Sequence, residues 1–509
     1  MTAESGWRDG EQPDAAGRSG QDSTADTDGT ADTDGTAHPA STADTDGTAD
    51  TDGTADTDGT AHPVGTADTD GTADPASTAD PASTADPAST ADPASPALER
   101  DVEPRHVEPL LEPREGLPPL VMTPADLAEA VSRLSAGTGP LAVDAERASG
   151  FRYGHRAFLV QFRRQGAGTV LIDPVGCPDL SGLHAALADT EAVLHAASQD
   201  LPCLAELGYR PRQIFDTEIA GRLLGCPRVG LATMVESMLG LGLEKTHSAA
   251  DWSTRPLPEE WLRYAALDVE VLVELREVLA EQLTASGKLE WARQEFAAVL
   301  AAGPPPPRAD PWRRTSGIHR VRTRRGLAVV RELWQERDKI AQRRDISPTR
   351  ILPDAAIVEA ARTMPTGADQ LMTIAGFTGR SARRHLPEWL RAIGRARALV
   401  ERELPTASAP PGDGPPPAHR WRERDPEAAK RLTVARAAVA AIADEHHLPA
   451  ENLLPPDAVR RLSWQPPAEL SAAAVASDLA SYGARPWQVE LTRVPLARAL
   501  LRVEEKGDE

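Results

Sequence analysis

The sequence predicts an α/β or α+β sheet domain followed by two all-helical bundles, with a long acidic segment in front that has no means of folding by itself. Three observations carry this reading. A six-residue polar repeat occupies residues 24–95, strand-length apolar runs between residues 141 and 195 give way to helical periodicity, and two proline-rich runs divide the remainder into two helical segments.

The repeat is TADTDG, drifting into TADPAS. Residues 1–100 hold 22 Asp and Glu against three Arg, a net charge of -19 out of -22 for the whole 509-residue chain. The acidic balance therefore describes this segment and not the other domains. With almost no large apolar side chains, it cannot bury enough surface to offset the entropy of ordering, and a period of six without hydrophobic positions is no solenoid. Residues 1–116 are expected to be a disordered acidic tail.

A first globular block is expected over 117–302. TPADLAEAVSRLSAG has the marks of a helix, with Thr123 as N-cap, Pro124 at the first helical position and Gly137 past the end. LAVDAE, AFLVQFR and TVLIDP read as three strands, followed by a helix near 179–188, a strand AVLHA, and helices from Ser198 onward. In the first strand, alternation puts Asp144 and Glu146 on one face and Leu141, Val143 and Ala145 on the other.

AGPPPPRADP (302–311) and LPTASAPPGDGPPP (404–417) read as extended linkers, giving linker segments 303–317 and 403–420. Between them, 318–402 forms a compact helical bundle, and 421–505 repeats its grammar: ARAAVAAIADEHHLPAENLLPPDAVRRL echoes VRELWQERDKIAQRRDISPTRILPDAAIVEA. An internal duplication is the expectation. From Gly303 to Arg402 there are 21 Lys and Arg against 10 Asp and Glu. This points toward a polyanion partner, although a solvated basic surface has the same composition.

Several function classes are excluded. No stretch approaches the roughly 18 to 20 apolar residues of a membrane span, and the N-terminus lacks a basic start followed by an apolar core, so no membrane role is expected and a cytoplasmic setting is. Cys177, Cys203 and Cys226 are scattered without zinc or disulfide spacing. No G-x-x-x-x-G-K-[ST] loop is present, so no nucleoside triphosphate is expected as a partner.

Acidic residues recur in odd places. Asp268 occupies the one position missing from the apolar stripe Trp261, Ala265, Leu272, Leu275, Leu279, and a charge on a buried face needs a cation or strong donor nearby. Tyr264 lies one turn before it. Asp200, in LHAASQDLPCL, stands just inside a helix. Each has a plainer reading: strand-end acids as solvated charges, Asp200 as a favourable helix N-terminal residue, Asp268 as an ion-pair partner.

In combination and order, D-x-E, then an Asp after a helix start, then Y-x-x-x-D late in a helix, the chain resembles the ribonuclease D family within the DEDD superfamily of 3′-to-5′ exonucleases. The resemblance covers about residues 120–300 and rests on VDAERASG, LHAASQDLPCL and DWSTRPLPEEWLRYAALDVEVL. The last follows the family's W-x-x-R-P-L…Y-A-A-x-D-V pattern and carries a tyrosine where the DEDDy subgroup has one. LVQF, LIDP and IFDTEIAGRLLG agree as well. Ala145 stands where the family usually has Thr, and Arg147 where it usually has an apolar residue such as Phe. Residues 322–402 resemble an HRDC domain, a small nucleic-acid-binding bundle, and 421–505 a more divergent HRDC-like copy.

The resemblance implies an α/β ribonuclease H-like exonuclease domain, a mixed sheet flanked by helices, followed by two all-α HRDC-type bundles. It implies a metal-dependent 3′-to-5′ exoribonuclease acting on a single-stranded RNA 3′ end, such as that of a tRNA precursor, with the HRDC modules contacting nucleic acid. Asp144, Glu146, Asp200 and Asp268 would bind two divalent ions, Mg²⁺ or Mn²⁺, about 4 Å apart across the scissile phosphate, with Asp144 shared between them, Asp200 serving the second largely through water, and Tyr264 orienting the attacking water. The product would be a nucleoside 5′-monophosphate. A DNA-directed exonuclease and a non-catalytic nucleic-acid-binding protein are the alternatives.

Overall fold

The computed structural model describes residues 107–244, 247, 249–303, 308–408 and 414–507. The expected disorder of the repeat segment lies outside the described residues. Among the described residues no helix is long and apolar enough to cross a membrane.

The first domain is built on a six-stranded mixed sheet. In chain order its elements are β1 (Glu108–Leu110), β2 (Leu120–Val121), α1 (Pro124–Ala136), β3 (Thr138–Arg147), β4 (Ala157–Gln165), β5 (Gly168–Ile172), α2 (Ser181–Leu187) and β6 (Ala192–Leu194). There follow α3 (Leu201–Glu206), β7 (Ile214–Asp216), α4 (Thr217–Leu223), α5 (Leu231–Leu239), β8 (Leu241–Leu243), α6 (Glu259–Glu270), α7 (Leu272–Ala285) and α8 (Leu289–Ala301). The sheet runs β2-β5-β4-β3-β6-β7, with β4 antiparallel to both neighbours and the other pairings parallel. β3–β5 form the expected meander, and β3 starts three residues before the apolar run. The N-cap at Thr123 is as expected: the Asp126 N–H donates to its hydroxyl at 3.2 Å.

Alternation sorts the two faces. Val143 opposite Phe162 and Ala145 opposite Val160 face the main core, shared with Leu134, Leu183, Leu275 and Leu279. Phe158, Leu159 and Leu171 belong to a second cluster with Trp252, Leu257, Ala265 and Ala266 from α6 and the loop before it. Asp144 and Glu146, opposite Gln161 and Leu159, therefore stand on the side that α6 covers.

Residues 107–116 depart from the tail assignment. β1 pairs in parallel with β8, and the segment beyond is tied down by Glu112 to Arg263, Arg114 to Glu270 and Glu274, and Glu115 to Arg163. The partners lie far away in the chain, so composition alone cannot reveal them.

The first helical bundle holds α9 (Arg324–Arg344), α10 (Pro348–Ile351), α11 (Asp354–Thr363), α12 (Ala368–Met372), α13 (Arg380–Arg384) and α14 (Leu386–Ala398) around its own core. Part of the flanking proline-rich sequence is not a free linker: Trp312 is buried in this core, and Arg313 donates to the Thr406 carbonyl. The second bundle holds α15 (Trp421–Arg424), α16 (Pro426–Glu445), α17 (Ala450–Leu453), α18 (Pro456–Trp464), α19 (Ala472–Ser481) and α20 (Pro486–Gly507). Both bundles place a long helix, a one-turn helix, and an extended Leu-Pro step in succession. Leu352 (φ -151°, ψ 116°) and Leu454 (φ -150°, ψ 126°) have nearly the same backbone, in keeping with a duplication.

Each bundle docks on the sheet domain. The loop after β3 reaches the first one: the Tyr153 hydroxyl donates to Asp338 at 3.2 Å, the Ser347 N–H to the Phe151 carbonyl at 2.9 Å, and Arg350 lies 3.9 Å over the Phe151 ring. The second is held by Lys288, whose ammonium donates to the carbonyls of Leu223 (2.7 Å) and His446 (2.6 Å), and by Trp291 stacked 4.8 Å from Trp487.

Candidate active site

The end of β3 and the middle of α6 meet in a cavity of about 540 Å³ lined by Asp144, Glu146, Arg147, Asp200, Tyr264 and Asp268 among others. Carboxylate oxygens of Asp144, Glu146 and Asp268 all lie within 4.8 Å of one another. All five residues singled out in the sequence thus line one cavity, and three of the four acids form a tight cluster. Asp200 stands at its edge.

Local structure explains each placement. Asp144 and Glu146 share a face because strand side chains alternate, and Tyr264 and Asp268 because a helix repeats every three to four residues. α6 ends at Val271, where α7 begins, so the stripe expected from one long helix is divided between two. Ala265, Leu272, Leu275 and Leu279 are buried as the stripe requires.

Asp200 occupies the N-cap position of α3, yet its carboxylate accepts no bond from that helix. It faces the cavity, where an Arg147 Nη lies 3.3 Å from it. Arg147 also donates to the Gln199 carbonyl at 2.7 Å. The turn that aims Asp200 is fixed from below by Asp216. Ala196 has the left-handed backbone (φ 58°), and the Asp216 carboxylate accepts from the N–H groups of Ala196 (3.2 Å) and Ala197 (2.8 Å) while also capping α4. Next to it, His195 bonds Thr217 Oγ1 at 2.9 Å, and burial pushes its pKa down to about 4.

Sequence reasoning noted IFDTEIAGRLLG without assigning Asp216 any task; an Asp between an apolar strand and a helix was the available signal. The W-x-x-R-P-L run proves to be a brace. Arg255 donates to both Asp173 oxygens at 2.7 Å and to the carbonyls of Phe158, Trp252 and Thr254 at 2.8 Å. It clamps the loop before α6 to β4 and to the end of β5. Trp252 is fully buried, 5.3 Å from Trp261 and 6.5 Å from Tyr264 between ring centres.

Electrostatically the cavity is overloaded with negative charge. Burial pushes the carboxyls of Glu146, Asp200 and Asp268 well above the usual carboxylate range, and repulsion among the acids adds to it. Burial raises Asp144 too, against the Ala145 N–H and Arg147, which lower it. Burial, then the neighbouring acids, raise the Tyr264 hydroxyl, which keeps its proton beside Asp268. Beside Asp144 the amide of the wholly buried Gln161 has no hydrogen-bond partner on either atom. Converging hard oxygen donors of this kind suit a divalent cation such as Mg²⁺ or Mn²⁺, whose charge relieves the repulsion.

Comparison with known proteins agrees with this geometry. Residues 119–284 match the family described as 3′-5′ exonuclease, 326–393 the HRDC domain, and 414–500 a family described as 3′ to 5′ exonuclease C-terminal domain. The second helical copy therefore matches under a description other than HRDC. Ribonuclease D of Gluconacetobacter diazotrophicus is 31% identical, over 69% of this chain and 88% of that one. Ribonuclease D of Escherichia coli is 32% identical over 55% of this chain and 74% of its own length. Among solved structures, a protein from Bifidobacterium adolescentis is 40% identical with a TM-score of 0.71, covering 78% of this chain and all of that one. The Escherichia coli RNase D structure, described as an exoribonuclease involved in structured RNA processing, gives 0.55 at 27% identity, over 76% of this chain and 98% of that one. The acids brought together from β3, the turn before α3 and α6, and the chain-length likeness to these enzymes, make this protein a member of the ribonuclease D family, a 3′-to-5′ exoribonuclease.

Proposed function

We propose that the enzyme shortens RNA, such as tRNA precursors, from a single-stranded 3′ end and releases nucleoside 5′-monophosphates by a two-metal mechanism. Asp144, Glu146 and Asp268 would hold one Mg²⁺ or Mn²⁺, and Asp144 with Asp200 the second. Bound there, such ions make water nucleophilic near neutral pH and stabilise the departing 3′ oxygen. Tyr264 keeps its proton and faces the cavity beside Asp268, which suits it to orient a water molecule. The Arg255 clamp holds α6, and with it Asp268, against the sheet. The α9–α14 bundle would contact the RNA upstream of the end being cut.

The observation that carries this reading is the convergence of Asp144, Glu146 and Asp268 within 4.8 Å from two separate elements. Incubating 3′-labelled single-stranded RNA with Mg²⁺ or Mn²⁺ tests it. Wild type should release labelled mononucleotide, and Asp144→Ala should be slower by at least a thousandfold. Equal release by both would overturn the assignment, and a single-stranded DNA arm reads the preference for sugar.

A further inference from the structure

The acid at the edge of the cavity is already occupied. Asp200 is 4% exposed and its carboxylate takes nothing from its own helix, while Arg147, partly exposed at the cavity wall, lies 3.3 Å from it and anchors on the Gln199 carbonyl at 2.7 Å and the Gln199 side-chain oxygen at 3.3 Å. Among the described residues, its hydrogen-bond acceptors both belong to Gln199 and its ion-pair partner is Asp200. A guanidinium and a divalent cation repel each other and compete for the same carboxylate.

Resting on the two-cation reading above, we propose that Arg147 guards Asp200. In the substrate-free enzyme its guanidinium takes the charge that the second cation needs, and an RNA phosphate draws it away, so the second cation loads together with substrate.

Charge balance supports the order of events. With one divalent cation on Asp144, Glu146 and Asp268 and Arg147 on Asp200, the four carboxylates are left one negative charge in excess. Adding a second divalent cation while Arg147 remains gives an excess of one positive charge, which a single phosphodiester cancels. The complete set of three cationic groups is therefore balanced only with the substrate phosphate present. The guanidinium fork suits a phosphate bidentately, whereas it meets Asp200 through a single ion-pair contact at 3.3 Å, so the exchange trades a weaker partner for a stronger one.

The test counts Mn²⁺ ions bound to the full-length protein without RNA, by isothermal titration calorimetry. Wild type should bind one ion tightly. Arg147→Gln, which removes the charge while keeping a polar side chain, should bind two, or bind the second at least tenfold more tightly. Arg147→Lys, retaining the charge, should stay at one, and circular dichroism checks that all variants fold. Two tight ions in wild type, or one in Arg147→Gln, would overturn the guard while leaving the cation site intact. No binding by wild type or any variant would overturn the cation site itself, and the guard with it.

Discussion

Replacing Arg255 by Ala removes the clamp between the loop that leads into α6 and the sheet. The side chain makes five hydrogen bonds, two of them to Asp173, which is 5% exposed. Removing one partner of a buried pair costs about 3 to 5 kcal/mol, because the remaining charge is left without compensation. Arg255 itself retains some exposure, with 27% of its side chain accessible, so water can reach part of the gap and the lower end, about 3 kcal/mol, applies. Arg255→Lys keeps the charge but loses the fork, for a loss of about 1 to 2 kcal/mol. Arg255→Ala with Asp173→Ala should cost less than the two single losses added, since neither charge is then stranded. Urea unfolding of each variant, with amide hydrogen exchange across residues 250–270, measures these differences. An Arg255→Ala protein within about 0.5 kcal/mol of wild type, with unchanged exchange in α6, would refute the argument.

Other outcomes follow from the same geometry. Asp216→Asn puts an amide where the Ala197 N–H needs an acceptor; Asp200 loses its support, and single-turnover cleavage should fall about 10- to 100-fold with RNA affinity unchanged, whereas a wild-type rate contradicts the positioning role. His195, with its pKa pushed from 6.5 down to about 4, binds its proton in the unfolded chain before it does so in the folded one. Stability from this group is therefore present above pH 6.5 and lost as pH falls toward 4. Between pH 7 and pH 5 the loss should be about 2 kcal/mol, and urea midpoints of His195→Gln should lack that component. Deleting residues 1–100, whose composition offers nothing to a folded core, should leave the cleavage rate within about twofold of wild type; a large fall shows that the segment takes part.

The acids were legible because chemistry wrote them as local exceptions: two charges on one strand face, a tyrosine and an aspartate one turn apart on an apolar stripe. The sheet meander was legible from alternation. What stayed hidden were pairings between distant residues. Nothing in 107–116 announces that Arg114 will find Glu270, or that Arg147 will lie on Asp200. The break at Val271 has no Gly or Pro to mark it, so one helix was expected where two meet. The basic count over 303–402 overstates the charge offered to RNA, because part of it is structural. Arg337 is 4% exposed and bonds the Leu352 carbonyl and Asp354, while Arg324 and Arg325 tie down carbonyls between residues 396 and 405.

The embrace of Tyr153, Phe151 and Gly150 by Asp338, Ser347 and Arg350 needs no continuous chain between the two partners. An incision engineered between Gly303 and Arg308 would leave two polypeptides that still elute as one particle. The strand bearing Asp144 ends at Arg147, and three residues later the chain enters that embrace, so a shift of the helical partner pulls on a segment that begins beside the proposed cation ligands.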